Sequence, residues 1–197
     1  MISPPVLIVG GGFSGTMSAA QLARFGMRSL LVERRAEVGR GIAYGTPERD
    51  HLLNVRAAAM SAWPDVPEDF SRRHGDATGF APRRSYGDYL QGIIDEAVAG
   101  GLVELVWGEA VAAHRVAEGW LLSLGDDRTL AGLVLVLAGG NLPSCAVPLT
   151  ADLPPGLFVN DPWSGEADRP TRRRGERAPL RAFAKRHRAA RDACRLR

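Results

Sequence analysis

The chain has 197 residues, 45% of them apolar and 24% charged, with a net charge of +3: enough to bury one sizeable core, too few for two full domains at about 100–200 residues each. Its longest uninterrupted apolar run, residues 130–140, is about half the roughly 20 residues a membrane-spanning helix needs, and strand-like residues begin at Val6 with no basic, leader-type segment before them. A membrane anchor and a secretory signal are therefore disfavoured, Cys145 and Cys194 are too few and too far apart for a disulfide framework or a structural metal site, and the expected compartment is the cytoplasm.

Residues 6–9 (VLIV) form a short, wholly apolar run ending in glycines, as expected of a parallel strand covered on both faces. Ala19, Leu22, Ala23 and Gly26 then recur at i, i+3, i+4 and i+7, which predicts a helix lying close to a sheet and ending at Gly26. A second strand follows at 29–33 (SLLVE), completing a βαβ-type opening within about 30 residues. From Arg34 to Phe80 the periodicity fails, which predicts a long irregular excursion with one short helix near 68–74. Loops of this length in a compact domain are usually functional.

Tyr86, Tyr89, Leu90, Ile93, Ile94 and Ala97 form the apolar stripe of a helix that Gly100 and Gly101 stop, with Ser85 and Asp88 placed as a capping box. Strand patterns follow at 103–107, 109–116, 120–124 and 133–138, with turn signals at Glu118-Gly119 and Gly125-Asp126-Asp127. The middle strands are expected to form an antiparallel meander and the last a buried parallel strand. The fold class expected is α/β: a Rossmann-like parallel sheet carrying an inserted antiparallel β-meander.

Gly10-Gly11-Gly12-Phe13-Ser14-Gly15 satisfies G-x-G-x-x-G and lies where the mechanism needs it, after a strand and at a helix N-terminus. The first glycine permits a tight turn, the second lets backbone approach a pyrophosphate, and the third permits close helix–strand packing; unpaired amides and the helix dipole then favour the anion. Glu33 ends the second strand 18 positions after Gly15, where a carboxylate can accept hydrogen bonds from both hydroxyls of an adenosine ribose and would repel a 2′-phosphate. FAD or NAD fits this site better than NADP.

GRGIAYGTPERDHLLNVRAAAMSAWPD at 39–65, taken with the Gly-rich opening, FAPRRSYGDYL at 80–90, LAGGNLP at 137–143 and DPW at 161–163, resembles the FAD/NAD(P)-binding proteins related to FAD-dependent urate hydroxylase and aspartate N-monooxygenase. The resemblance covers about residues 4–163. It implies an FAD-dependent oxidoreductase of monooxygenase type, with NAD(P)H as electron donor and a small-molecule substrate. Matched by position, it places Gly10, Gly12 and Gly15 on the FAD pyrophosphate and Glu33 on the ribose. Gly41, Ala43, Tyr44, His51 and Asn54 become neighbours of the flavin, Val111 meets the adenine side through its backbone, and Gly139 and Gly140 return to the cofactor. His51 is equally well read as a loop histidine satisfied by backbone, with no metal beside it, and Val111 is better described as a core valine. No residue can be named a catalytic acid or base. Trp63, Trp107, Trp120 and Trp163 are expected to be packing residues, and Cys145 a structural one.

The charge is unevenly spread: residues 171–197 hold 11 Arg or Lys against 2 acids, and residues 1–170 hold 14 against 20. The Gly-rich domain is expected over 1–168 and a basic Arg/Ala-rich tail over 169–197, the abrupt switch suggesting an aberrant or out-of-frame end and a truncated chain without a second glycine fingerprint. Two alternatives stay open from the residues alone: a non-catalytic dinucleotide-binding module, and a basic-armed interaction protein, although a nucleic-acid partner is not expected.

Overall fold

The computed structural model describes residues 4–141, 153 and 158–160. The chain divides into two units, Met1–Gly140 and Asn141–Arg197; in the second, Leu153 is exposed. The expected tail at 169–197, Trp163, Cys145 and Cys194 lie outside the described residues.

In the first unit β1 (Val6–Val9), β2 (Ser29–Glu33), β3 (Val103–Trp107) and β7 (Val134–Leu137) form a parallel sheet in the order β3-β2-β1-β7. Because both faces of β1 are covered, its run of four apolar residues divides by parity. Val6 and Ile8 join Ala19, Leu31, Val38, Ile94 and Val103 on the helix side. Leu7 joins Val32, Val106, Leu122 and Leu124 on the other. Leu7 and Ile8 are wholly buried, each stabilising the fold by about 1.5–3 kcal/mol. The helix side is α1 (Phe13–Arg24) beside α4 (Arg83–Ala99), and the opposite layer is an antiparallel sheet of β4 (Ala110–Val116), β5 (Gly119–Leu124) and β6 (Thr129–Gly132). Gly132 allows that layer to come close, since a Cβ there would lie 2.5 Å from Leu7 Cγ and 2.6 Å from the Pro5 carbonyl oxygen.

The α/β class and the inserted meander are as expected, with four local differences. The meander has a third strand, β6, whose four residues TLAG include two weak strand formers and are held by their ladder to β5. Strand β7 is parallel to β1 as expected but is not buried: Val134 is 46% and Leu137 75% exposed, because it is the last strand of the sheet among the described residues. Helix α4 starts at Arg83 with Pro82 as its N-cap and no side-chain cap. The capping box does not form, because the helix starts two residues before Ser85 and places it inside the first turn; Asp88 pairs with Arg40 instead (Nη2 to Oδ1 2.5 Å). The excursion holds α3 (Asp69–His74) as expected, and also α2 (Gly41–Tyr44) and a 3-10 turn at Ala57–Ala59, both too short to show periodicity.

The excursion has its own core. Leu53, Ala57 and Phe70 pack with Met17 and Ala20 of α1 and with Tyr86, Tyr89, Leu90 and Ile93 of α4. Trp63 flanks this cluster under the Arg24 guanidinium, 4.6 Å from the ring centroid, and Trp120 packs against the meander core. Trp107, by contrast, is 46% exposed at the end of the edge strand β3.

Candidate functional site

The Gly-rich turn runs from the end of β1 into α1. Gly10 has φ +102°, and a Cβ on it would lie 2.3 Å from the Ala138 carbonyl oxygen, so only glycine fits where β1 and β7 end side by side. Gly15 meets Gly10 even more closely: a Cβ there would lie 1.8 Å from the Gly10 carbonyl oxygen. The third glycine therefore lets the helix touch the turn itself. Gly12 is the helix cap and supplies no side chain. Of the turn's amides, Gly10 donates to the Val32 carbonyl (2.8 Å) and Gly11 to Glu33 Oε2 (2.6 Å). The amides of Gly12, Phe13, Ser14 and Gly15 have no acceptor among the described residues, an arrangement that with the helix dipole favours an anion. Phe13 is 41% exposed, and Ser14 is exposed with its carbonyl accepting from Ser18 Oγ (2.8 Å).

Glu33 is fixed at both oxygens, Oε2 by the Gly11 amide and Oε1 by the Arg35 amide (2.9 Å). Its charge is thus held at the rim of the turn before any ligand arrives. Beside it the Gly108 amide donates to the Glu33 carbonyl (3.0 Å), and Arg34 pairs with Glu109 (3.1 Å), which brings the start of β4 to the same rim. Val111 sits there at a bulge, skipped by a register in which Ala110 faces Leu124 and Ala112 faces Ser123. It is 61% exposed, so it is not a core valine: the bulge turns its side chain out of the meander's buried face.

The excursion closes on the turn from the other side. The Gly39 amide donates to the Gly11 carbonyl (2.7 Å), and a Cβ on Gly41, itself at φ +51°, would lie 3.2 Å from Gly12 Cα. Tyr44 then leans on Phe13 (centroids 6.5 Å) and Tyr86 (4.7 Å). Burial raises the Tyr44 phenol above its usual pKa, and the nearby Arg83 charge offsets part of that rise. Ala43 is exposed, its carbonyl accepting from Arg83 Nη1 at 3.3 Å. His51 is half-buried, with Nδ1 2.7 Å from Thr46 Oγ1 and its carbonyl accepting from the Arg83 amide (2.8 Å); it is satisfied by a hydroxyl rather than by backbone. Asn54 is exposed. Gly139 is exposed with open space around it, one residue past the Ala138 that Gly10 touches.

Gly10 to Gly15, Glu33, Gly41 and Gly139 thus converge at the carboxyl ends of β1, β2 and β7, where open α/β sheets bind ligands. Ala43, Tyr44 and His51 flank this place along the N-terminal half of α4.

Four further residues were not singled out by the sequence. Thr16 is wholly buried and its hydroxyl holds the Gly11 carbonyl (3.2 Å). Val38 would lie 2.9 Å from a Cβ on Gly11. Arg40, its side chain only 16% exposed, pairs with Asp88 and lies 3.1 Å from Glu37 through an Nε that makes no hydrogen bond among the described residues. Arg83 is the fourth. Only Thr16 had a local signal, a hydroxyl just inside a helix whose cap has no side chain. Among the described residues no group of three or more His, Cys, Asp or Glu comes together, and no helix is long and apolar enough to cross a membrane.

Comparison with known proteins agrees with this geometry. Glutathione reductase of Yarrowia lipolytica is 31% identical over 112 residues, covering 53% of this chain and 24% of that protein. Among solved structures, a flavin-containing monooxygenase from Stenotrophomonas maltophilia aligns with TM-score 0.54 at 18% identity, over 75% of this chain and 42% of that one. OTEMO in complex with FAD and NADP aligns with TM-score 0.55 at 17% identity, over 75% of this chain and 28% of that one. These structural likenesses carry the fold, and the chain spans between about a quarter and two fifths of the length of these proteins. A family model described as FAD-NAD(P)-binding matches residues 7–142, and its bounds enclose the turn, Glu33, the loop at 39–54 and Gly139: the chain belongs to the FAD-NAD(P)-binding family.

Proposed function

We propose that the chain is the FAD-binding portion of an NAD(P)H-dependent flavoprotein oxidoreductase of monooxygenase type, acting on a small molecule. The observation that carries this is the row of amides from Gly12 to Gly15 at the start of α1, which have no acceptor among the described residues, beside a Glu33 carboxylate fixed by Gly11 and Arg35. The residues present fit the cofactor's adenosine diphosphate half. Gly12, Phe13, Ser14 and Gly15 would donate to its phosphates, and Gly10 and Gly15 keep helix and turn close enough to aim those amides. The Gly11 amide serves Glu33, whose remaining lone pairs would take the ribose hydroxyls. Val111 would meet the adenine edge through its backbone at the bulge.

For the flavin half, Gly41 leaves room for a flat ring, while Ala43, Tyr44, His51 and Asn54 border it and Gly139 lies across the sheet end. Partly exposed Phe13, Ile42, Leu52 and Val55 supply apolar surface near these loops that an aromatic ring would cover. When bound, the flavin supplies acceptance of hydride from NAD(P)H and reaction with dioxygen, while the chain supplies binding, orientation and electrostatics.

Titration with ADP, FAD and 2′-phosphorylated ADP tests the assignment. ADP and FAD should bind, and the 2′-phosphate should weaken ADP at least tenfold, about 1.4 kcal/mol, because it faces the fixed Glu33 charge. Retention of no flavin by the purified protein, together with no uptake of added FAD, would overturn it. Bleaching of the bound yellow cofactor by NADPH would separate a reducible flavoprotein from a module that only holds dinucleotide.

A further inference from the structure

The flavin-side loop is not held by the sheet; it is laid along one face of α4. Gly39, at φ +84°, would place a Cβ 2.9 Å from the Gln91 amide nitrogen and 3.1 Å from Leu90. A Cβ on Gly87 would lie 2.9 Å from the Tyr44 carbonyl oxygen and 3.1 Å from Arg40. Arg83 closes the row at the first turn. Positions 83, 87, 90 and 91 recur at helical spacing, so one stripe of the helix supports the segment on the side away from the glycine turn.

Arg83 differs from the other members in binding the segment at two points. Its amide, one of those a helix cannot satisfy internally, donates to the His51 carbonyl at 2.8 Å, and its Nη1 donates to the Ala43 carbonyl at 3.3 Å. The two carbonyls are eight positions apart in the chain, so a single residue sets the span between the two arms of the loop. Arg24, Arg34, Arg40, Arg73 and Arg128 each pair with a carboxylate. Half-buried Arg83 has none among the described residues, and its donors are directed to the loop carbonyl instead.

We infer that Arg83 is a positioning residue for the flavin half of the site: its amide anchors the His51 carbonyl and its guanidinium holds the Ala43 carbonyl relative to that anchor, so that loss of the side chain frees the Ala43 arm and weakens FAD while leaving ADP binding intact. The inference rests on the proposed function, and the two can fail separately because ADP reaches the Gly-rich turn, Glu33 and Val111 but not the loop that Arg83 holds.

Full-length wild type, Arg83→Ala, Arg83→Gln and Arg83→Lys would each be titrated with ADP and with FAD, with circular dichroism as the check on folding. The expected result for Arg83→Ala is an FAD Kd raised about tenfold, the loss of one charge-assisted hydrogen bond. Its ADP Kd should stay within about twofold of wild type, and the visible band of bound flavin should shift. Arg83→Lys should recover part of the FAD affinity and Arg83→Gln less. Should Arg83→Ala not fold, the Lys and Gln variants carry the same comparison. Equal weakening of ADP and FAD would show a general structural role and overturn the inference, as would unchanged affinity for both. A wild type that binds neither ligand would instead overturn the cofactor assignment, and this inference with it.

Discussion

A methyl group added at Gly12 and one added at Gly15 should have different consequences, although both are fingerprint glycines. At Gly12 the backbone is extended (φ −73°, ψ −169°), a conformation any residue adopts, and a Cβ would meet nothing closer than Gly41 Cα at 3.7 Å. Replacing glycine by alanine reduces the freedom of the unfolded chain, which stabilises by about 0.4–1 kcal/mol, while alanine is the poorer helix cap by a similar amount. The two effects offset, so Gly12→Ala should melt within about 3 °C of wild type. At Gly15 the same methyl would sit 1.8 Å from the Gly10 carbonyl oxygen and 3.0 Å from its carbon. Backbone, not a flexible side chain, would have to give way. Overpacking of this kind costs about 3 kcal/mol, or a fall of about 6–12 °C in a chain of this size. Both variants should lose FAD affinity at least tenfold, Gly12→Ala because its methyl occupies the approach to the diphosphate and Gly15→Ala because the helix is pushed off the turn. Thermal melts followed by circular dichroism without added nucleotide, then FAD titration, separate the cases. Wild-type FAD affinity in Gly12→Ala would refute the reasoning about the ligand, and a wild-type melting temperature in Gly15→Ala would refute the reasoning about packing.

Glu33→Gln keeps the size of the side chain but leaves one oxygen for two amide donors, Gly11 and Arg35. The ADP Kd should rise about tenfold and discrimination against the 2′-phosphate should shrink, and unchanged discrimination in parallel titrations would count against the fixed-charge argument. The protein's three tyrosines, Tyr44, Tyr86 and Tyr89, form one cluster whose burial raises each phenol above its usual range. The folded state therefore keeps protons that the unfolded chain releases from about pH 10 upward. The stability they lend is fully present below pH 10 and falls above it, by at most about 4 kcal/mol per pH unit, a bound that Tyr44's partial exposure lowers. Phenolate absorbance should accordingly rise together with loss of helix in an alkaline titration; phenolate forming well before unfolding would be the contrary result. Ser29 is 2% exposed and its hydroxyl has no partner among the described residues, so Ser29→Ala should stabilise by about 1 kcal/mol, read as a melting temperature higher by about 2–4 °C. A lower melting temperature would mean the hydroxyl is satisfied.

What could be read from residues alone tracks the range of the interactions involved. The strands at 6–9, 29–33 and 103–107, the first helix and the glycine turn are set by local period and local conformational demand, and each stands where the pattern put it. Glu33 was legible because a fixed distance along a βαβ unit becomes a fixed place in space. The capping box at Ser85 and Asp88 failed because Pro82, not Ser85, caps the helix, which leaves Asp88 to pair with Arg40 48 positions away. Burial of 133–138 failed because an apolar run reports affinity for a core without reporting whether a neighbour strand covers it. Val111 was misjudged through the bulge, which is set by the pairing of β4 with β5 and leaves no mark in composition. Arg83 acts on the loop through the Ala43 and His51 carbonyls, partners that only folding brings near.

The central claim is that a diphosphate lies against the first turn of α1 with its sugar on Glu33. A crystal structure of the FAD complex tests it most directly. The expected result is phosphate oxygens within hydrogen-bond distance of the amides of residues 12–15 and ribose hydroxyls on the Glu33 carboxylate. Nucleotide bound elsewhere, with that turn making no contact to it, would contradict the account.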